Sequence, residues 1–249
     1  MQSRRTSKQQ LIELLDNMER APGDWVTVYL RPTSLGAHHD RPVLSSRVEP
    51  RLIEAASIIQ DEQLQRAAAR GGTGLVLFLG DDTTRAIIPP FPVSHDEVKI
   101  GKPATELLRT AFERNRRTLL LLVTWNAYVL ALFEAEQMLR YKKGTGHIHP
   151  PHKKGGSSQA RFARRTENQR AEFLRRVGGH VDTLFGGESV DRIFFGGNRL
   201  ILRPLTSACR YLRDNRDRLA TRTLLVERAV MDSVPGAIDD AFSAVLLTP

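Results

Sequence analysis

Apolar and polar positions change period several times along this chain, and the changes mark out its elements. From Ser7 to Arg20, Leu11, Ile12, Leu14, Leu15 and Met18 recur at helical spacing and predict an amphipathic helix that Pro22-Gly23-Asp24 ends. Trp25-Val26-Thr27-Val28-Tyr29-Leu30 is β-branched and aromatic, and predicts a strand. Pro32 to Pro42 reads as a loop. Pro50 suits the first turn of a helix running to about Arg70, with Gly71-Gly72 as its stop. Gly74 to Leu79 and Thr84 to Ile88 predict a hairpin around Gly80-Asp81-Asp82, and Pro89-Pro90-Phe91-Pro92 breaks regular structure. The chain up to that point predicts a small α/β domain with a mostly antiparallel sheet.

Pro103 opens a helix carrying Leu107, Leu108, Ala111 and Phe112. The period then shortens. Thr118 to Thr124 and Ala127 to Glu134 read as strands about Trp125-Asn126, with a shorter third strand over Met138 to Lys143. Gly144-Thr145-Gly146-His147-Ile148-His149-Pro150-Pro151 excludes regular structure. A long helix is predicted from about Gln159 to Phe185. Its second half has an apolar stripe at Phe173, Val177, Val181 and Leu184. Its first half offers only Phe162 and small alanines, and Arg161, Arg164 and Arg165 share a face. Such a helix projects its start away from the body. A strand over Asp191 to Phe195, a helix over Pro204 to Arg213, a strand over Thr221 to Arg228 and a helix over Pro235 to Leu246 complete the prediction. From Thr118 the order is three strands, helix, strand, helix, strand, helix, which is that of the ribonuclease H-like fold. Two α/β domains are expected, 1–100 and 101–249.

Charge sharpens this picture. The chain has 37 Lys and Arg against 28 Asp and Glu, a net charge of +9. Between Arg140 and Arg176 there are 11 basic and 2 acidic residues; 37 less 11 and 28 less 2 leave 26 of each sign elsewhere. The whole positive excess therefore surrounds one segment. A focused positive patch attracts a polyanion, and RNA is the commonest in the cytosol.

At the centre of that segment stands His152-Lys153-Lys154-Gly155-Gly156-Ser157-Ser158-Gln159, followed by Arg161, Arg164 and Arg165. The glycines permit backbone that approaches a partner closely. With the basic helix start and the element order, this stretch resembles the glycine-x-x-glutamine loop of the ankyrin-repeat and zinc-finger peptidyl-tRNA hydrolase family. Those proteins are relatives of class I release factors of eukaryotes and archaea, which carry a Gly-Gly-Gln tripeptide at the same place. The resemblance covers roughly Thr118 to Pro249. It implies a ribonuclease H-like release-factor domain that frees nascent chains from tRNA on stalled ribosomes. Gly156 and Gln159 match the family's glycine and glutamine as catalytic positions; Gly155, Ser157 and Ser158 fill the loop. Here the spacing is Gly-Ser-Ser-Gln, and neither ankyrin repeats, zinc finger nor a codon-reading domain is visible, so rescue fits better than stop-codon decoding.

The peptidyl-tRNA bond is an activated ester, for which positioning one water suffices. Glutamine takes up no proton at neutral pH. Its side chain is expected to place or admit water while its N–H steadies the leaving ribose oxygen. His152, Lys153, Lys154, Arg161, Arg164 and Arg165 are expected to hold RNA phosphates without reading sequence. The expected partners are the large ribosomal subunit, its rRNA and peptidyl-tRNA, met by a cytoplasmic monomer with no cofactor. No metal is assigned: His147, His149 and His152 lack a carboxylate or cysteine partner, and His38-His39-Asp40 lies in a polar loop. Thr118 to Phe133 holds no acid, which disfavours two-metal nuclease chemistry. Cys209 is the sole cysteine and forms no internal disulfide. The longest apolar run is too short to span a membrane, and no signal peptide is visible. Two alternatives stay open: a tRNA 3′-end endonuclease using the same loop, and a non-catalytic ribosome- or RNA-binding factor.

Overall fold

Two sheets organise the chain. The structure, a computed structural model, describes residues 2–35, 50–113, 115–146, 148 and 158–248; the side chains of residues 113, 158–160 and 162 lie outside that description. The chain divides into two units, Met1–Arg114 with Asp239–Pro249, and Asn115–Ile238.

The first unit begins with β1 (Gln2–Thr6), α1 (Lys8–Arg20), β2 (Trp25–Leu30), α2 (Pro50–Gln60), α3 (Glu62–Gly71), β3 (Leu75–Leu79), β4 (Thr84–Ile88), β5 (Glu97–Gly101) and α4 (Glu106–Glu113). The second holds β6 (Arg117–Val123), β7 (Ala127–Glu134), β8 (Gln137–Thr145), α5 (Ser158–Phe185), β9 (Arg192–Gly197), α6 (Arg199–Ala208), α7 (Arg210–Asp214) and β10 (Leu219–Leu224). Helix α8 (Val234–Ala241) carries the chain across the boundary, and β11 (Ala244–Thr248) returns it to the first sheet.

That sheet runs β1-β11-β4-β3-β2-β5, antiparallel throughout. Alternation along β2 and β3 sends Val26, Val28, Leu75 and Leu77 to Leu52, Ile59 and Leu64 of α2 and α3. It sends Tyr29, Val76 and Phe78 to Leu11 and Leu15 of α1 and to Leu108 and Phe112 of α4. Ser7 starts α1 with a reciprocal cap: its hydroxyl accepts from the Gln10 N–H, and the Gln10 side chain accepts from the Ser7 N–H.

The second sheet runs β10-β9-β6-β7-β8. β6, β7 and β8 form an antiparallel meander; β9 pairs parallel with β6, and β10 parallel with β9. On one face Leu119, Leu121, Leu130, Leu132, Ile193 and Phe195 pack against Phe173, Val177, Val181 and Phe185 of α5, joined by Ile201, Leu205 and Leu212 of α6 and α7.

Several sequence expectations need correction. The helix expected over 50–70 is two, because Asp61 caps a second start, its Oδ1 accepting from the Leu64 N–H at 2.9 Å. The helix expected from Pro204 begins at Arg199, where the Asn198 side chain accepts from the Leu200 N–H at 3.0 Å, and it breaks at Cys209. The strand expected over 221–228 spans Leu219–Leu224, since its register on β9 runs from Ile193 to Gly196. The helix expected to Leu246 stops at Ala241, and after Phe242 and Ser243 the chain forms β11, an interior strand between β1 and β4. The last eleven residues thus group with the first unit, whereas 101–249 was expected as one domain. β1 and β5 were not anticipated.

Candidate functional site

Ser158 and Gln159 are the first two residues of α5. Ser158 is therefore helical, not loop: it is followed by Gln159, Ala160 and Arg161, all good helix formers. His152, Lys153, Lys154, Gly155, Gly156 and Ser157 lie outside the described residues. Beyond them the first buried position described on α5 is Phe173. That is about 15 residues, roughly 22 Å of helix at 1.5 Å per residue. Over this stretch Arg161, Ala163, Arg164, Arg165, Glu167 and Asn168 are exposed. Arg161, Arg164 and Arg165 make no ion pair among the described residues. Among the described side chains, the front half of α5 is thus a basic arm with no buried apolar residue ahead of Phe173, continuous with a helix whose rear half is buried.

The base of the arm is built from aromatic rings. Phe173 meets Trp125 at 6.4 Å and Tyr128 at 6.0 Å between ring centroids. The Arg170 guanidinium sits 4.8 Å from the Trp125 ring centroid, close enough for a cation–π contact. Arg176 lies 5.7 Å from the Phe173 centroid and donates from Nη2 to the Thr145 carbonyl at 2.8 Å. The Gly146 N–H donates to the Asn126 carbonyl at 2.7 Å. A Cβ on Gly146 would lie 2.5 Å from the Trp125 carbonyl oxygen, so only glycine fits that close approach. The strand that enters residues 149–157 and the helix that leaves them are therefore tied together by Arg176 and wedged on one aromatic cluster. Sequence reasoning missed Trp125, Arg170 and Arg176 in this role; the i, i+3, i+6 spacing of Arg170, Phe173 and Arg176 was the available signal.

Beside this base, the His180 ring lies 5.8 Å from Tyr128. Burial first, then the charges of Lys142 and Arg176, hold its pKa below the usual imidazole value. Two more groups on the same side are structural. Asp182 accepts from the Tyr211 N–H at 2.7 Å and from the Arg210 N–H and the Cys209 thiol at 3.2 Å each, capping α7. Cys209 is buried, and burial pushes its thiol up to about 12, so it is inert as a nucleophile at neutral pH. His147, His149 and His152 lie outside the described residues; among those described, no group of three or more His, Cys, Asp or Glu has metal-site geometry. No described helix is long and apolar enough to cross a membrane.

The family model for the actinobacterial and chloroflexi VLRF1 release factor (acVLRF1) matches residues 116–247, just over half the chain. The chain belongs to this VLRF1 release factor family. The match starts at the doorstep of β6 and ends in β11, so it takes in the arm and its aromatic base. Peptide chain release factor subunit 1 of Aeropyrum pernix is 27% identical over 130 residues, which is 49% of this chain and 35% of that protein. This VLRF1-family chain thus spans about a third of the length of that curated relative. The archaeal translation termination factor aRF1 aligns over 95% of this chain and 70% of its own, with 20% identity and a TM-score of 0.42. Pelota of Archaeoglobus fulgidus aligns over 96% and 63%, with 9% identity and a TM-score of 0.32. The release-factor kinship expected from the sequence holds, with VLRF1 as the family matched.

Proposed function

We propose that this protein hydrolyses peptidyl-tRNA on stalled ribosomes or large subunits, with Gln159 and Gly156 at the reacting end of the basic arm. The observation that carries the reading is the front half of α5: a run of exposed, unpaired arginines ahead of Phe173, with Gln159 in its first turn. Membership of a release factor family supports the same direction. Arg161, Arg164 and Arg165, with His152, Lys153 and Lys154 before them, hold rRNA or tRNA phosphates and set the arm's depth. Gln159 places water at the ester, and a helix start favours the negative charge that develops there. We read residues 115–238 as ribonuclease H-like; support comes from a meander of three strands followed by two parallel ones. The protein acts in the cytoplasm, as a monomer.

The test is release of nascent chains from purified ribosome-bound peptidyl-tRNA. Gln159→Ala is expected to slow release about 10²- to 10³-fold, the range for loss of one positioned donor, with ribosome binding retained. Unchanged release ends the proposal. The tRNA product is sized alongside: an intact 3′ end is ester hydrolysis, and a shortened one transfers the loop to RNA cleavage.

A further inference from the structure

The cation cluster behind the arm lies away from the residues assigned to the loop. β8 is an edge strand with Gln137 to Lys143 exposed. Its register alternates faces. Lys142 stands opposite Leu130, whose side chain joins the core under α5; Lys143 stands opposite Val129, on the other face. Lys142 therefore shares a face with Arg176 and His180 of α5. The charges of Lys142 and Arg176 help hold the His180 pKa down, and among the described residues His180 has no carboxylate partner. Arg140, one alternation earlier, is different: it bonds Glu188 and donates to the Leu184 carbonyl at 3.0 Å. Among the described residues Lys142 and Arg175 have no ion pair, and Glu172, one turn before Arg176, makes none with it.

We propose that the surface where β8 meets the middle of α5, formed by Lys142, Arg176 and His180 beside Tyr128, binds a backbone phosphate of ribosomal RNA. Folding gathers like charges here, which repel until a polyanion arrives. The geometry suits a phosphodiester. Lys142 supplies a mobile ammonium. Arg176 supplies a guanidinium fixed by its bond to the Thr145 carbonyl, and His180 supplies a ring held by Tyr128. Arg164 and Arg176 are 12 residues apart on one helix, roughly 18 Å, so a single RNA can contact the arm and this cluster together. The inference rests on ribosomal RNA being the partner of the arm, and it gives that partner a second contact fixed to the body. Lysine on an edge strand also blocks edge-to-edge pairing; that role is served equally by Lys143, which makes Lys143 the comparison.

The test measures affinity for purified actinobacterial large ribosomal subunits across a salt series, for the wild type, Lys142→Ala, Lys143→Ala and Gln159→Ala. Lys142→Ala is expected to weaken binding roughly three- to tenfold at low salt and to reduce the slope of log affinity on log salt by about one. Lys143→Ala, the same charge change on the opposite face, is expected to have the smaller effect. Equal effects of the two lysines overturn the inference, since bulk charge then explains both. An unchanged slope in Lys142→Ala also overturns it. So does displacement of the subunits by a polyglutamate peptide that Lys142→Ala no longer binds, which marks the surface as one for acidic protein. Loss of slope in Lys142→Ala with normal release by Gln159→Ala leaves this inference standing and removes the proposed reaction; the converse pair of results removes only this inference.

Discussion

Ala163 and Ala171 lie exposed on the front half of α5, where replacing them by glycine removes no charge and no packing. Each exchange disfavours helix by about 1 kcal/mol, so Ala163→Gly with Ala171→Gly weakens the front half by about 2 kcal/mol. That stretch has no buried described side chain ahead of Phe173, and the Arg170 contact on Trp125 holds only its base, so little tertiary packing offsets the loss. Two kcal/mol is a factor of roughly 30 in the ratio of ordered to frayed arm. Amide hydrogen exchange over residues 163–172 is expected to quicken by up to that factor. Amides of the buried half, Val177 to Phe185, are expected to keep their protection, because opening there requires breaking the sheet-facing core. If release needs the arm ordered, its rate falls with the ordered fraction. Unchanged exchange over 163–172 refutes the idea that the arm is held only by helix cooperativity. Equal acceleration along all of α5 refutes the separation of its halves.

Other outcomes follow from the base and the core. Phe173→Ala removes a buried ring from the Trp125 and Tyr128 contacts and is expected to destabilise by about 3–5 kcal/mol in denaturant titration. Asp182→Ala strips the cap of α7 and is expected to cost about 1–3 kcal/mol, read as a lowered melting temperature. Ala135, at φ 52° in the β7–β8 turn, sits in the left-handed region, so Ala135→Gly is expected to be neutral or to stabilise by up to about 1 kcal/mol. Burial pushes the folded Cys209 thiol up to about 12, from the 9.0 of an exposed thiol. Between those values the unfolded chain holds fewer protons, so this group's contribution to stability is present below pH 9 and fades as pH rises through the window. Iodoacetamide labelling of native protein at pH 8 is expected to be slow, and fast once urea unfolds the chain.

Elements were legible where turn or cap residues bound their apolar runs. α5 ends at Phe185 and starts one residue before Gln159, as its apolar stripe indicated. β7 spans the predicted Ala127–Glu134. α1 begins right after Ser7, where a cap residue precedes the apolar stripe. β11 was lost because an interior strand is apolar on both faces and reads as the tail of α8. β1, Gln2–Thr6, is polar and exposed but for Thr6, so only its partner β11 makes it a strand. For the site, Arg161, Arg164 and Arg165 stood out by local charge. Lys142, Arg176 and His180 did not, because β8 register and α5 packing bring them together across more than thirty positions of chain, a distance no motif spans.

The place of β11 has a bearing on how the molecule is made. Among the described residues β1 pairs with β11 alone, and β11 separates it from β4. During synthesis, N-terminal segments emerge and begin folding first. Yet β1 must wait for β11 while the more than two hundred residues between them leave the exit tunnel, and the first unit lacks that pairing until then. Cutting the chain before Ala244 therefore strips β1 of its partner, although the cut lies more than two hundred residues away.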